Sequence, residues 1–327
     1  MKSIAVALLN WNGKSLLERF LGEVVNNSPE AVVYFIDNAS TDNSVLFVQE
    51  NFPSIRVIVL DQNYGYAGGY NKGLVAVKED LICLLNTDVS VKPGWLPPVL
   101  DHFKKYPKTA IAQPHIMDLK VPSQFEYAGA AGGFVDRLGY PYCRGRLFND
   151  LEEDLGQYDF DEKVFWASGA CFFVRKTVFE SLGGFDEDFF AHMEEIDFCW
   201  RAFNQNHDVY SLYQSKVFHL GGGTLKLSPQ KTYLNFRNSL YLLLKNLPEK
   251  RIQIIFERML WDGIALLFFI LQFKFATAFA IVKAHFAFYS NCRKMLKKQS
   301  KVKGFTSYYN EANLPFRYFF LKKRNLS

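Results

Sequence analysis

The chain is poor in cysteine, and what it has follows no ligand or disulfide pattern. Five cysteines (Cys83, Cys143, Cys171, Cys199, Cys292) are scattered, with no C-x-x-C spacing. This excludes a disulfide scaffold and a structural zinc knuckle, and predicts reduced, buried thiols in a cytosolic protein. Long apolar runs are missing too. In the C-terminal quarter the longest uncharged run, Gly263 to Phe273, has eleven residues, whereas a membrane-spanning helix needs about 20. There is no Walker motif, no G-x-G-x-x-G fingerprint, no repeat and no low-complexity tract. The opening MKSIAVALLNWNG has a short apolar run and no small-residue cleavage site, so it reads as a strand rather than a signal peptide.

What is present is a hydrophobic fraction of 49% in 327 residues, enough for a sizeable core. The net charge of +5 is unevenly placed. Residues 283–327 hold eleven Lys/Arg and one acid, Glu311, so this tail carries +10 and residues 1–282 carry −5. Such a tail predicts an anionic surface as partner. Nucleic acid is not an expected partner.

The first hundred residues alternate strand and helix. Apolar runs at Ser3–Leu9, Val32–Ile36, Ile55–Leu60 and Leu81–Leu85 predict buried strands. Ser15 and Glu18 form a capping-box pattern, and Leu16, Leu17, Phe20, Leu21, Val24 and Val25 repeat at helical spacing. GGYNKGLVAV reads as a glycine turn opening another helix. The alternation predicts a mostly parallel sheet with helices on both faces. Further on, VFWASGACFFVRK reads as a strand and EEIDFCWRAFNQN as a helix. DVYSLYQSKVFHLGGG reads as a strand pair or one bent strand. Beyond Ser228 the segments become long, helical and aromatic-rich.

Ligands of such sheets bind beyond the carboxyl ends of the strands, and polar residues gather there. They are Asn10-Trp11-Asn12, Asp37-Asn38, Asn63 to Asn71, and Asn86-Thr87-Asp88. Asp37 can accept a hydrogen bond from the N3–H of a pyrimidine ring, or merely form an Asx turn. The loop QNYGYAGGYNKGL lets backbone approach a nucleotide at a helix N-terminus. Asp88, with water, suits Mg²⁺ or Mn²⁺ on a diphosphate, or is a turn residue. In FFAHMEEIDFCWRAF, Glu194 and Asp197 share a helix face with Arg201, while Glu195 is rotated away. Acids between apolar neighbours are partly desolvated, which raises their pKa and makes a better base near neutral pH. His219 ends an apolar strand before Gly221-Gly222-Gly223, a place for a phosphate or metal contact.

Together NWNG, DNASTDNS, NYGYAGGYNKG, LLNTDVSV, SGACFFVRK, GGFDEDFFAHMEEIDFCWR and VFHLGGGTL resemble the family 2 glycosyltransferases of GT-A fold, in their rhamnosyltransferase-like branch. The resemblance runs from about Ser3 to Lys245. It implies a Rossmann-like GT-A domain over 1–245, with a nucleotide-binding half (1–115) and an acceptor-binding half (116–245). It implies an inverting, metal-dependent transferase. Its donor would be dTDP-rhamnose or a UDP-sugar, its acceptor a lipid-linked or cell-surface glycan. By the same resemblance Asn10, Trp11, Asn12, Asp37, Asn38 and Asn63 line the nucleoside site. Gly68, Asn71 and Asn86 lie near ribose and diphosphate. Asp88 and His219 hold the metal, and Trp166, Gly169 and His192 face the acceptor. Glu195 stands where the family has its catalytic base, with Glu194 a rival. Asn86 replaces the first acid of the family's D-x-D motif. The competing readings are a catalytically weak homologue serving as a membrane-bound scaffold, and a sugar nucleotidyltransferase.

Residues 246–327 read as a helical, basic extension. Met259–Tyr289 is strongly apolar, but Lys274 would sit mid-membrane at a cost of roughly 2.5–3.5 kcal/mol. Helices lying in the membrane interface, with RKMLKKQSKVK on anionic lipid, are the expectation. That would place the protein on the inner face of the cell membrane. A buried hairpin is the alternative.

Overall fold

In the computed structural model, residues 3–221, 228–303 and 307–323 are described. Gly222 and Gly223, part of the expected phosphate turn, lie outside them.

The first half winds as β1 (Ile4–Asn10), α1 (Lys14–Asn26), β2 (Ala31–Asp37), α2 (Ser44–Asn51), β3 (Arg56–Val59), α3 (Gly65–Gly73), β4 (Leu81–Leu85), β5 (Val89–Val91), α4 (Pro97–Lys105) and β6 (Thr109–Asp118). Four short strands follow, β7 (Gly133–Val135), β8 (Pro141–Cys143), β9 (Arg146–Leu147) and β10 (Asp150–Leu151), and these form a separate small sheet. The chain then returns through β11 (Glu162–Val164), β12 (Cys171–Arg175), α5 (Lys176–Ser181), α6 (Glu194–Asn204) and β13 (Asp208–His219). It ends in α7 (Pro229–Asn246), α8 (Arg251–Leu271) and α9 (Phe275–Lys297).

The main sheet runs β11-β13-β6-β12-β4-β1-β2-β3, with β5 paired to β13. It is mixed, not mostly parallel as expected. The pairs β4-β1-β2-β3 and β13-β6 are parallel, while β12 runs antiparallel to both β4 and β6. The reason is topological. A parallel return needs a crossover helix, and no helix lies between Asp118 and Cys171. The chain leaves β6 at the end where Asp118 pairs with His219, and re-enters with Cys171 opposite Leu85. It therefore runs the other way. The expected strand over VFWASGACFFVRK accordingly splits into β11 and β12. The DVYSLYQSKVFH segment is one long strand, bent by register shifts near Val209 and between Leu212 and Lys216.

Two local readings also change. Ser15 does not cap α1. The helix starts one residue earlier, and the Lys14 N–H donates to Asp42 Oδ2 at 2.9 Å, a cap supplied from another loop. The glycines of GGYNKG lie inside α3 rather than in a turn before it. A Cβ on Gly69 would meet Leu9 at 2.8 Å and one on Gly73 would meet Ile36 at 2.6 Å. Their absence lets α3 lie close on β1 and β2, which places its N-terminus at the strand mouths.

The C-terminal helices are packed into the α/β part of the chain rather than hung from it. Helix α9 buries Ala278, Ala280, Ile281, Ala284, Phe288 and Met295. Part of the basic tail is consumed within the protein. Lys294 meets Asp188 at 2.5 Å, and Lys298 meets Asp186 and Asp188 at 2.6 Å each. Buried Lys245 on α7 bridges Asp186 (2.6 Å) and Asp197 (2.9 Å). Burial opposes ionisation of Asp186, but Lys245 and Lys298 overcome it and hold the carboxyl at about 2.

Removing one partner of a buried charge cluster costs about 3–5 kcal/mol. Lys245→Met should therefore lower the urea midpoint at pH 7. Asp186 has its pKa depressed below the usual 3.8, so its contribution is present above that value and lost as pH falls through about 2. The gap between wild type and variant should narrow in that acid window.

Candidate active site

The site is built where β1, β2 and β4 end, beside the point at which strand order reverses. Asn10 and Asp37 are neighbours in register. Asn10 Nδ2 donates to Asp37 Oδ1 (3.3 Å) and Ser40 Oγ (3.1 Å), while its buried Oδ1 has no partner. Asp37 Oδ2 accepts the Ser40 N–H at 2.8 Å, three residues on rather than the two of an Asx turn. Asn12 Oδ1 accepts the Thr41 N–H at 2.7 Å. Asn38 donates to Asn63 Oδ1 (2.9 Å) and accepts the Tyr64 N–H (2.9 Å), fastening the glycine loop to β2. Trp11, between Asn10 and Asn12, is 58% exposed, an aromatic ring left open to solvent beside this network.

Gly68 and Asn71 join α3 to the acid loop. Asn71 donates to the Phe185 carbonyl and accepts its N–H, each at 2.9 Å. A Cβ on Gly68 would come within 3.4 Å of the Glu187 carboxyl carbon.

Asp88 and His219 converge from opposite strands, Asp88 Oδ1 lying 3.1 Å from His219 Nε2. Glu126 Oε2 lies 3.4 Å from the other ring nitrogen. All three are buried. Burial alone would lower the histidine pKa; Asp88 and Glu126 outweigh it and push it up to about 10. Asn86 brings no second acid. Among the described residues no group of three or more His, Cys, Asp and Glu has metal-holding geometry. As it stands the trio is an ion-paired cluster, an imidazolium held between Asp88 and Glu126. His219 could ligate a metal only after giving up its proton, whereas the Asp88 carboxylate is the oxygen donor that suits a hard cation.

The acids at the start of α6 divide into two kinds. Asp197 is fully buried and well partnered. It accepts from Arg201 (2.8 Å), Lys245 and Asn246 (2.8 Å), and these pull its pKa down against burial. Glu194 does not share in that pairing. Glu194 Oε2 and Glu195 Oε2 are buried without hydrogen-bond partners. Burial, then the neighbouring Glu195 charge, raises the Glu194 pKa well above the usual value. Burial raises Glu195 to about 7. Backbone N–H groups at 194–196 offset part of each rise, but a buried carboxyl oxygen without a partner is rare and costly, and here two adjacent acids each carry one. His192 Nε2 is also buried and unpartnered, its pKa lowered to about 4 by burial and Lys231.

The three expected acceptor residues fare differently. His192 adjoins the acids in sequence. Gly169 carries its carbonyl to the Tyr66 hydroxyl (2.9 Å) and, having no Cβ, allows that approach. Trp166 is buried, and its indole N–H donates to the Phe134 carbonyl at 2.8 Å. Tyr66, Glu126 and Asn238 take part in the site without having been singled out by sequence. Tyr66 lies within the NYGYAGG stretch already noted, whereas Glu126 and Asn238 carry no local signal.

A model of the family described as "Glycosyl transferase family 2" matches residues 3–183. The chain is similar to the N-acetylglucosaminyl-diphospho-decaprenol L-rhamnosyltransferase of Mycobacterium tuberculosis, with 28% identity over 200 residues. The match covers 55% of this chain and 64% of that relative, less than two thirds of its length. In structure the chain is similar to GalNAc-T7 with UDP, GalNAc and Mn²⁺ (TM-score 0.58, 15% identity, 74% of this chain and 48% of that one). It is also similar to a mannosyltransferase of Pyrobaculum calidifontis with GDP-Man and Mn²⁺ (TM-score 0.51, 13% identity, 91% and 84%). These structural likenesses speak to a shared GT-A-like α/β fold.

The unpaired acid has a measurable consequence. A carboxyl raised from 4.5 to about 7 binds its proton more tightly in the folded state, so stability falls as pH rises through that interval. Glu195→Gln removes the penalty. Its melting temperature should exceed that of wild type by roughly 4 °C at pH 8, and the two should coincide at pH 4.

Proposed function

Because the chain belongs to glycosyl transferase family 2, we propose that it transfers a sugar from a nucleoside-diphosphate sugar to a hydroxyl of a lipid-linked or cell-surface glycan, with inversion. The observation that supports this reading is the pair of adjacent acids at the start of α6, Glu194 and Glu195, each with one buried carboxyl oxygen that lacks a hydrogen-bond partner. The similarity to a rhamnosyltransferase favours dTDP-rhamnose among donors, with UDP-sugars as alternatives.

The chemistry follows from the residues. A sugar hydroxyl must lose its proton as it attacks the anomeric carbon. Glu195, poised near neutrality, takes that proton at its free Oε2. Asp37 faces the pyrimidine, the Asn10–Asn12 turn and Asn63 frame the nucleoside, and Trp11 offers a stacking plane. Gly68, Asn71 and Asn86 lie on the ribose and diphosphate side. Gly169 and His192 belong to the acceptor side, while Trp166 supports it from within the core. Asp88 and His219 would hold Mg²⁺ or Mn²⁺, which supplies positive charge against the leaving diphosphate.

The acceptor side favours a membrane. Ile252, Phe256, Leu260, Ile264 and Phe268 recur every fourth residue along α8, all exposed. Phe275, Phe279 and Phe286 line α9 in the same way, and Phe273 at the turn is 81% exposed. An open apolar groove of about 260 Å³ lies between the two helices. An apolar face of this extent marks an interaction surface. No helix among the described residues is long and apolar enough to cross a membrane. The hairpin therefore supports interfacial docking, with exposed Lys274 and Lys301 near anionic headgroups.

Two experiments test this. In single-turnover transfer from dTDP-rhamnose or a UDP-sugar, Glu195→Gln should lose at least 10³-fold in rate, and Glu194→Gln much less. The reverse order would move the base to Glu194. Sedimentation with vesicles containing phosphatidylglycerol should fall several-fold for Phe273→Asp/Phe275→Asp with the fold intact. Equal sedimentation would contradict membrane docking.

A further inference from the structure

The segment that delivers the two glutamates is strained. Three non-glycine residues within four positions, Phe190, His192 and Met193, have φ of 65°, 68° and 72°. Such a backbone conformation is unfavourable for a residue with a side chain and persists only where surrounding contacts determine it. Met193 occupies the cap position of α6 without any side-chain cap. The turn is therefore not self-sustaining, and something outside it must hold its shape.

That support comes from two adjacent residues on α7. Asn238 is fully buried. Its Nδ2 donates to the carbonyls of Phe189 (2.9 Å), Ala191 (2.9 Å) and His192 (2.8 Å). Three backbone oxygens thus converge on one amide nitrogen, which only a donor can satisfy. Arg237 fixes which way that amide faces, because its Nε donates to Asn238 Oδ1 at 2.9 Å. The Arg237 Nη2 also reaches the carbonyls of Asp188 (3.1 Å) and Phe189 (3.0 Å). Two turns further along, Lys245 and Asn246 of the same helix hold Asp197. Helix α7 thereby grips the chain on both sides of Glu194 and Glu195, without touching either carboxyl.

We propose that Asn238, oriented by Arg237, is a positioning residue of the transfer reaction: it holds the strained Phe189–Met193 turn that sets the start of α6, and with it the placing of Glu194 and Glu195. The proposal rests on the reading of the glutamates as the seat of the base. Asn238 itself contacts neither donor nor acceptor. Its loss should act on turnover and leave the nucleotide side, built from β1, β2 and α3, as it is.

Full-length N238A, N238D and R237A are compared with wild type and with E195Q. N238D keeps the side-chain shape but turns an acceptor toward three carbonyls. R237A leaves Asn238 in place with its amide free to flip, and keeps the test open should the Asn238 variants fail to fold. Three quantities are measured. They are hydrogen exchange of residues 189–195, affinity for dTDP and UDP, and steady-state hydrolysis of dTDP-rhamnose and UDP-N-acetylglucosamine. The expected result is at least tenfold faster exchange in 189–195 for N238A and N238D. Their kcat should fall about 100-fold, that of R237A about tenfold, with nucleotide affinity and donor KM within threefold. Unchanged exchange, or kcat within threefold of wild type, overturns the proposal. If E195Q keeps its turnover, the assignment of the base fails, while the exchange data still decide whether Asn238 holds the turn.

Discussion

The acid end of the site depends on keeping two carboxyls desolvated and without a cationic partner. Asp197 lies within three positions of Glu194 on the same helix, yet it is met by Arg201, Lys245 and Asn246. Glu194 and Glu195 each present a buried oxygen with no partner. Burial without a partner raises a carboxyl pKa, and burial with cations lowers it. One helical turn therefore holds a structural acid that stays ionised and a neighbouring acid poised near pH 7. The first anchors the helix so that the second can remain unsatisfied.

This constraint explains the placing of the C-terminal helices. A strained turn beside two uncompensated carboxyls is unstable alone, and α7 and α9 supply what it lacks. Asn238 and Arg237 hold its carbonyls. Lys245, Lys294 and Lys298 neutralise Asp186 and Asp188 just before it. Helix α9 also carries an exposed apolar stripe, which it shares with α8. It therefore ties down the acid loop through Lys294 and presents an apolar face to the outside.

Much of the first half of the chain was legible in the sequence, because its signals are local. Apolar runs ending in Asn or Asp mark β1, β2 and β4 and their carboxyl ends, and the glycine-rich stretch marks α3. What escaped was set by distance along the chain. The direction of β12 depends on an excursion of about fifty residues that contains no helix. The Lys245–Asp197 contact spans 48 residues and the Asp88–His219 contact 131. Glu126 and Asn238 gain their roles only when those partners meet. The basic tail misled for a similar reason: composition counts charges, but not which of them the protein neutralises itself. Lys294 and Lys298, counted toward a lipid surface, face Asp186 and Asp188 instead.

The central claim is that Glu195 is a desolvated carboxyl raised to near neutrality by burial, against the pull of the backbone N–H groups at 195 and 196. Isotope-labelled glutamate carboxyls titrated by carbon-13 NMR test it most directly. The account predicts one carboxyl resonance with a midpoint near pH 7 that disappears in Glu195→Gln. A spectrum in which every glutamate except Glu194 titrates in the ordinary range of about 4–5 would contradict it.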